Sequence, residues 1–240
     1  MINYLAIVQA RTASKRLPGK VLKKLNGIPM ILILLQRLKF SKYISDIAVA
    51  ISDDISDDYL FELLIKNNYK VVRGAVSDVL ARFVKVVEIY NPRNVIRVTA
   101  DCPLVDYNII DTMVKFFEKK NFQYLTNANP PSFPDGLDIE ILNSFILQEL
   151  QAKKLSKYHR EHVTSYIRES KEYKIGNFSN GENFSHFRWT VDEWDDLILI
   201  KKIFKNFSPN IYFKYPAILK YINENPKLCK INKHLTRNEG

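Results

Sequence analysis

A chain of 240 residues with 46% apolar and 26% charged residues can bury one sizeable core, which excludes disorder as the starting assumption. Its apolar runs, such as Met30–Leu35, fall far short of the roughly 20 residues of a membrane span, no signal-peptide pattern opens the chain, and Cys102 and Cys229 are too few for a disulfide framework or a zinc site. A cytoplasmic protein with reduced thiols and no membrane partner is expected; the formal charge of +10 points to anionic partners.

Tyr4–Gln9 is short, apolar and followed at once by a polar loop, as buried parallel strands are. That loop, Gln9–Lys20 (QARTASKRLPGK), carries Arg11, Lys15, Arg16 and Lys20 and ends in a Pro18-Gly19 turn pair. Pro29 suits a first helical position, opening a helix from Met30 to about Phe40. Asp46–Ser52 reads as a second buried strand, Ile55–Lys66 as a helix through Leu60, Leu63 and Leu64, and Tyr69–Arg73 as a third strand. Ser77 or Asp78 caps a helix to about Tyr90, Asn94–Thr99 is a fourth strand, Asp106 caps a helix to about Lys120, and Phe122–Thr126 is a further strand.

The proline-rich Asn127–Pro134 is a loop by composition. Asp135–Leu142 reads as a strand with Asp138 and Glu140 on its polar face, Asn143 as a helix cap, and Tyr158–Glu169 as another helix. Tyr173–Phe178 and His186–Val191 read as strands, and Glu193–Phe204 as a helix. Much of the positive excess lies near the C-terminus, in Lys201, Lys202, Lys205, Lys214, Lys220, Lys227, Lys230 and Lys233, which interleave with apolar residues, as on the solvated face of helices.

Strands alternating with helices imply an α/β protein, a mostly parallel sheet with helices on both faces joined by right-handed crossovers. No repeat or linker divides the chain, so one domain (1–240) with an α+β region inserted or appended is expected. Such sheets bind ligands beyond the carboxyl ends of their strands. Gln9–Lys20, Ser52–Asp54 and Asp101–Asp106 fall at that edge.

The basic loop is suited to an anion: its amides and the charges of Arg11, Arg16 and Lys20 can hold phosphate oxygens, and Gly19 permits close backbone approach. It matches neither the Walker A nor the dinucleotide fingerprint, so the alternative of a merely solvated basic loop stays open. Asp101 follows a buried strand and is placed to hold Mg²⁺, which takes carboxylate and phosphate oxygens; a helix cap or an ion pair is the alternative. Asp192 closes a second run of the same type, RWTVD, and either joins Asp101 on one metal or caps the next helix. Asp138 and Glu140 either bind the hydroxyls of a polar acceptor or face solvent. Arg160, Glu161 and His162 read as a salt-bridged helix surface, and His159 with His162 as an incidental pair.

Six segments in order, QARTASKRLPGK, RGAVSDVLARF (Arg73–Phe83), RVTADCPLVD (Arg97–Asp106), PDGLDIEIL (Pro134–Leu142), REHVTSYIR (Arg160–Arg168) and WTVDEWDDL (Trp189–Leu197), resemble the sugar-activating cytidylyltransferases. That group contains the acylneuraminate and ketodeoxyoctonate enzymes, and the similarity is greatest to the branch named after spore-coat polysaccharide biosynthesis. The resemblance implies a Rossmann-like nucleotide-diphospho-sugar transferase fold, with the nucleotide on about residues 1–120 and the acceptor on about 121–240. It implies attack of an acceptor oxygen on the α-phosphorus of CTP, with release of pyrophosphate. By residue it implies Arg11, Ser14, Arg16 and Lys20 at the triphosphate, Arg16 and Lys20 as catalytic cations, and Asp101 and Asp192 as Mg²⁺ ligands. Arg73, Asp78 and Arg82 fall near the nucleotide; Asp138, Glu140 and Arg160 fall on the acceptor side. A small polar acceptor (sugar, sugar acid or phosphorylated compound) and a homodimer are implied as partners. Competing readings are a nucleotidyltransferase of the same fold with another base or a phosphorylated non-sugar acceptor, and, from the charge alone, a nucleic-acid-binding protein.

Overall fold

The computed structural model describes residues 2–237. Its sheet is assembled from β1 (Tyr4–Gln9), β4 (Asp46–Ser52), β5 (Lys70–Gly74), β6 (Asn94–Thr99), β7 (Tyr124–Thr126), β8 (Glu140–Asn143) and β9 (Ile175–Asn177), in the order β5-β4-β1-β6-β8-β7-β9. The first four of these are mutually parallel, with Val8 opposite Val49 on one side and Val98 on the other. β8 runs antiparallel to both β6 and β7, and β9 returns parallel to β7. The sheet is therefore mixed but mostly parallel, in an α/β fold.

Both faces of β1 are buried, which is why its sequence is almost continuously apolar rather than alternating. Tyr4, Ala6 and Val8 join the core beneath α1 (Met30–Leu38), α4 (Tyr107–Lys120), α8 (Trp194–Phe207) and α9 (Tyr215–Glu224). Leu5 and Ile7 point the other way, into a core shared with α3 (Val79–Tyr90) and α5 (Ser144–Ala152). A short hairpin, β2 (Lys24–Leu25) with β3 (Ile28–Pro29), precedes α1, and α2 (Asp58–Lys66) follows a 3₁₀ turn at Ile55–Asp57. The caps expected at Asp78 and Asp106 form, each side chain accepting from an amide of the first turn.

Several expected elements differ. Pro29 is the N-cap of α1, not its first helical residue, because it is still paired with Lys24 in the hairpin. Asp135–Leu142 becomes a strand only from Glu140: Gly136 takes φ +102°, and the amide of Asp135 donates to the Phe187 carbonyl, so these residues pair with a loop instead of the sheet. For the same reason His186–Val191 is not a strand; it holds a single bridge, Asp135 to Arg188, and its Val191 amide turns to the Asp101 carbonyl. Asp138 thus precedes β8, and Asp138 and Glu140 do not share a strand face. Tyr158–Glu169 breaks into α6 (Lys157–His162) and α7 (Ser165–Glu169) at Val163, whose φ of +52° turns its side chain into the second core. Asp192 does not cap α8; Glu193 does, in a capping box with Asp196. Asn143 is the N-cap residue of α5, but its side chain donates to Asn94 instead of capping.

Candidate active site

The loop after β1 is clamped at three points. The Thr12 amide donates to Asp57 at 2.7 Å, and its hydroxyl lies 2.7 Å from the same carboxylate. Gly19, left-handed at φ +63°, returns its amide to the Thr12 carbonyl at 3.0 Å, and Leu17 is buried. With its apolar and hydroxyl residues spent on anchoring, the loop presents Arg11, Lys15 and Arg16 to solvent. Ser14 accepts from the Leu17 amide at 3.5 Å and so shapes the loop from within.

Lys20 points across the edge of the sheet. Its Nζ lies 2.7 Å from Asp101 Oδ2, on the turn after β6, and 2.7 Å from Asp192 Oδ1, just before α8. The Val191 amide bonds to the Asp101 carbonyl at 2.9 Å, tying the two carboxylate segments together. Burial opposes charge on Lys20 and on Asp101. The carboxylates nevertheless raise the Lys20 pKa above the ordinary value, and Lys20 in turn holds Asp101 below the usual carboxylate range. Arg16, about half exposed, reaches Asp192 at 3.4 Å and Glu193 at 3.5 Å. Behind them Arg188 donates at 3.0 Å to each of Asp135, Asp192 and Asp196. Two carboxylates already converge on one cation here, an all-oxygen pair of the kind Mg²⁺ accepts alongside substrate phosphates. Among the described residues no group of three or more His, Cys, Asp or Glu is arranged as a metal site.

A cleft of about 650 Å³ runs from Arg16, Asp101 and Asp192 to Arg97, Glu140 and Arg168. At its far end Glu140 is buried. Its oxygens accept from Arg97, from Arg168 at 3.2 Å, from Tyr124 at 2.5 Å and from Thr164 at 2.6 Å. Burial alone would raise its pKa, but the two arginines and two hydroxyls hold it down to about 2. Asp138 is gripped by Arg237 at 2.5 and 2.7 Å, and Thr236 offers its carbonyl to Arg188 at 2.9 Å, so Arg237 forms part of the cleft wall. Burial and the neighbouring Asp138 push Asp135 up to about 7, against the pull of Arg237 and Arg188.

The other expected site residues gather elsewhere. Arg73 is held by Asp58 at 2.7 Å and by the carbonyls of Ser52 and Asp54. Asp78, besides capping α3, pairs with Arg160 at 2.6 Å, and Arg160 also donates to Gln151; it stands outside the lining of the cleft. Arg82 is buried with its Cγ against Gly74, and burial followed by the nearby Arg11 lowers its pKa. Its Nε and Nη1 have no hydrogen-bond partner among the described residues. The residues that sequence reasoning passed over are Asp57, Arg97, Arg168, Arg188 and Arg237. Neither Arg188, in a stretch that reads as a strand, nor Arg237, which reaches across 99 residues to Asp138, left a readable signal.

Residues 5–208 match the protein-family model described as cytidylyltransferase. The spore coat polysaccharide biosynthesis protein SpsF of Bacillus subtilis is 33% identical over 236 residues, spanning 94% of this chain and 96% of its own length. The structure of a cytidylyltransferase from Leptospira borgpetersenii superposes with a TM-score of 0.91 at 30% identity over 100% of both chains. CMP:2-keto-3-deoxy-manno-octonic acid synthetase, solved in complex with CTP, shares the fold at a TM-score of 0.66 and 16% identity, over 85% of this chain and 99% of that one.

Proposed function

The chain belongs to the cytidylyltransferase family of nucleotidyltransferases, and on that premise we propose that it transfers CMP from CTP to a sugar or sugar-acid acceptor, releasing pyrophosphate, in the synthesis of a surface polysaccharide or glycoconjugate. The observation that carries this reading is the placement of the Lys20 ammonium between Asp101 and Asp192, at the rim of a loop rich in cations.

Transfer of a nucleotidyl group demands in-line positioning and neutralisation of charge on the α-phosphate and the departing pyrophosphate. Lys20 and Arg16 supply positive charge there, and Arg11 and Ser14 belong to the same triphosphate loop. Asp101 and Asp192 are the residues to hold Mg²⁺, which when bound polarises phosphoryl oxygens as a Lewis acid. Arg73, Asp78 and Arg82 sit on the nucleotide side of the edge, Asp78 fixing Arg160 in place. On the acceptor side Asp138 offers a carboxylate oriented by Arg237, while Glu140 acts by holding Arg97 and Arg168 in position. The protein is read as a cytoplasmic homodimer.

The test incubates the protein with each of the four nucleoside triphosphates, Mg²⁺ and a panel of sugars, sugar acids and sugar phosphates, and follows pyrophosphate release. CTP-dependent release with at least one acceptor is expected. Absence of turnover together with absence of measurable CTP binding overturns the reading.

A further inference from the structure

The positive charge of this chain is concentrated at one end. Residues 197–237 carry nine lysines and arginines against a single carboxylate, Glu224, so eight of the ten net positive charges lie there. The eight lysines of this stretch are all exposed, whereas its one arginine, Arg237, is spent on Asp138. A solvated surface ordinarily mixes both signs, and this stretch is almost wholly of one.

The outward stripe of α8 adds a second feature. Leu197, Ile200, Ile203 and Phe204 are buried, while Trp194, Ile198, Lys201, Lys202 and Lys205 follow one another at helical spacing on the exposed side. Trp194 is 56% and Ile198 42% exposed, two large apolar side chains at the head of a lysine row. The neighbouring hairpin extends the row. Asn26 donates to the Phe204 carbonyl at 2.7 Å, Lys23 lies 5.0 Å over the Trp194 ring, and Lys24 is exposed beside it. The acidic residues flanking Trp194 are already engaged, Glu193 with Arg16 and Asp195 with His234.

We propose that this α8 face is a peripheral docking surface for an anionic lipid bilayer. An interfacial helix presents an apolar edge to the headgroup boundary and lysines to the anionic surface, and tryptophan is favoured at that depth. The cations are point-like ammonium groups on flexible stems rather than guanidinium forks, which suits a diffuse charged plane better than the planar recognition of nucleic acid. Lys23 covers one face of Trp194, leaving less of the ring for a nucleobase to stack on. Among the described residues no helix is long and apolar enough to cross a membrane, so the docking proposed here is to its surface. Such docking would depart from the expectation of no membrane partner, which no finding contradicts. The inference is independent of the CTP reading.

Co-sedimentation of the full chain with phosphatidylcholine vesicles, with and without phosphatidylglycerol, tests it. Binding is expected to the anionic vesicles alone and to weaken as salt rises. The pair W194S/I198S should reduce it, and K201E/K205E should reduce it by about tenfold or more. Either pair suffices if the other fails to fold, as judged by thermal melting. Failure to bind anionic vesicles, equal binding to neutral ones, or binding that no folded variant weakens overturns the proposal. So does tighter binding to DNA that persists in W194S/I198S, which would assign the face to nucleic acid.

Discussion

Lys20 makes the same two contacts that a metal would seek, and the two roles separate by substitution. Lys20→Met leaves Asp101 and Asp192 facing each other with less compensation. Since these side chains are 12–23% exposed, the loss should fall below the roughly 3–5 kcal/mol of a fully buried pair. A lower melting temperature is expected, partly recovered when Mg²⁺ is added; a melt indifferent to Mg²⁺ would argue against a metal between the carboxylates. Asp101→Asn and Asp192→Asn should each lower the rate of CTP-dependent pyrophosphate release by about 100-fold or more with the fold intact. Near-native activity in either removes that residue from the site.

Glu140 makes a prediction about acid. Its pKa in the fold is about 2 against an ordinary value of 4.5, so its stabilising contribution is present above 4.5 and disappears as pH falls towards 2. A depression of that size corresponds to at most roughly 3 kcal/mol. Glu140→Gln should therefore be destabilised in urea at pH 7, with the gap to the unmodified protein narrowing between pH 4.5 and 2. A gap that does not change with pH would mean that Glu140 contributes through packing and neutral hydrogen bonds alone.

At the level of elements, the parallel half of the sheet was readable because each strand is a short apolar run closed by polar residues, and α3 and α4 open on the capping side chains of Asp78 and Asp106. The half after Asn127 was not. There Asp135–Ile139 and His186–Val191 have strand-like alternation, yet their amides bond to one another's loops. Alternation reports which side chains are buried, not which backbone group satisfies which. The cations of the first loop and both key aspartates were legible as types and spacings. Their partners Arg188, Arg97 and Arg237 were not, because these contacts depend on tertiary approach.

Gly136 is the hinge of that irregular half. A Cβ there would stand 2.5 Å from the Thr190 amide nitrogen, and φ is +102°. Gly136→Ala therefore has to push apart the Asp135–Arg188 bridge as well as bear backbone strain. A loss of about 1–3 kcal/mol or more is expected in chemical denaturation. Stability unchanged within error would show that the two loops separate freely.

For the whole molecule, CTP and Mg²⁺ should act as one stabilising ligand. The basic loop comes from the start of the chain, Asp101 from its middle and Asp192 from the segment before α8, so a ligand touching all three resists global unfolding rather than opening of one loop. Binding only to the folded state adds about 2.7 kcal/mol when the ligand is at 100 times its Kd. For a chain of 240 residues each kcal/mol is worth roughly 2–4 °C, so the melting temperature should rise by about 5–10 °C. CTP with EDTA should give a much smaller rise, because phosphate charge then meets Asp101 and Asp192 with only the protein's own cations, Lys20, Arg16 and Arg188, to offset them. The three conditions are distinguished by scanning calorimetry at fixed nucleotide. An equal shift with and without EDTA would place CTP on the basic loop alone and remove the metal from the binding step. An equal shift with all four triphosphates would show that the loop reads phosphate and leaves the choice of base to later steps.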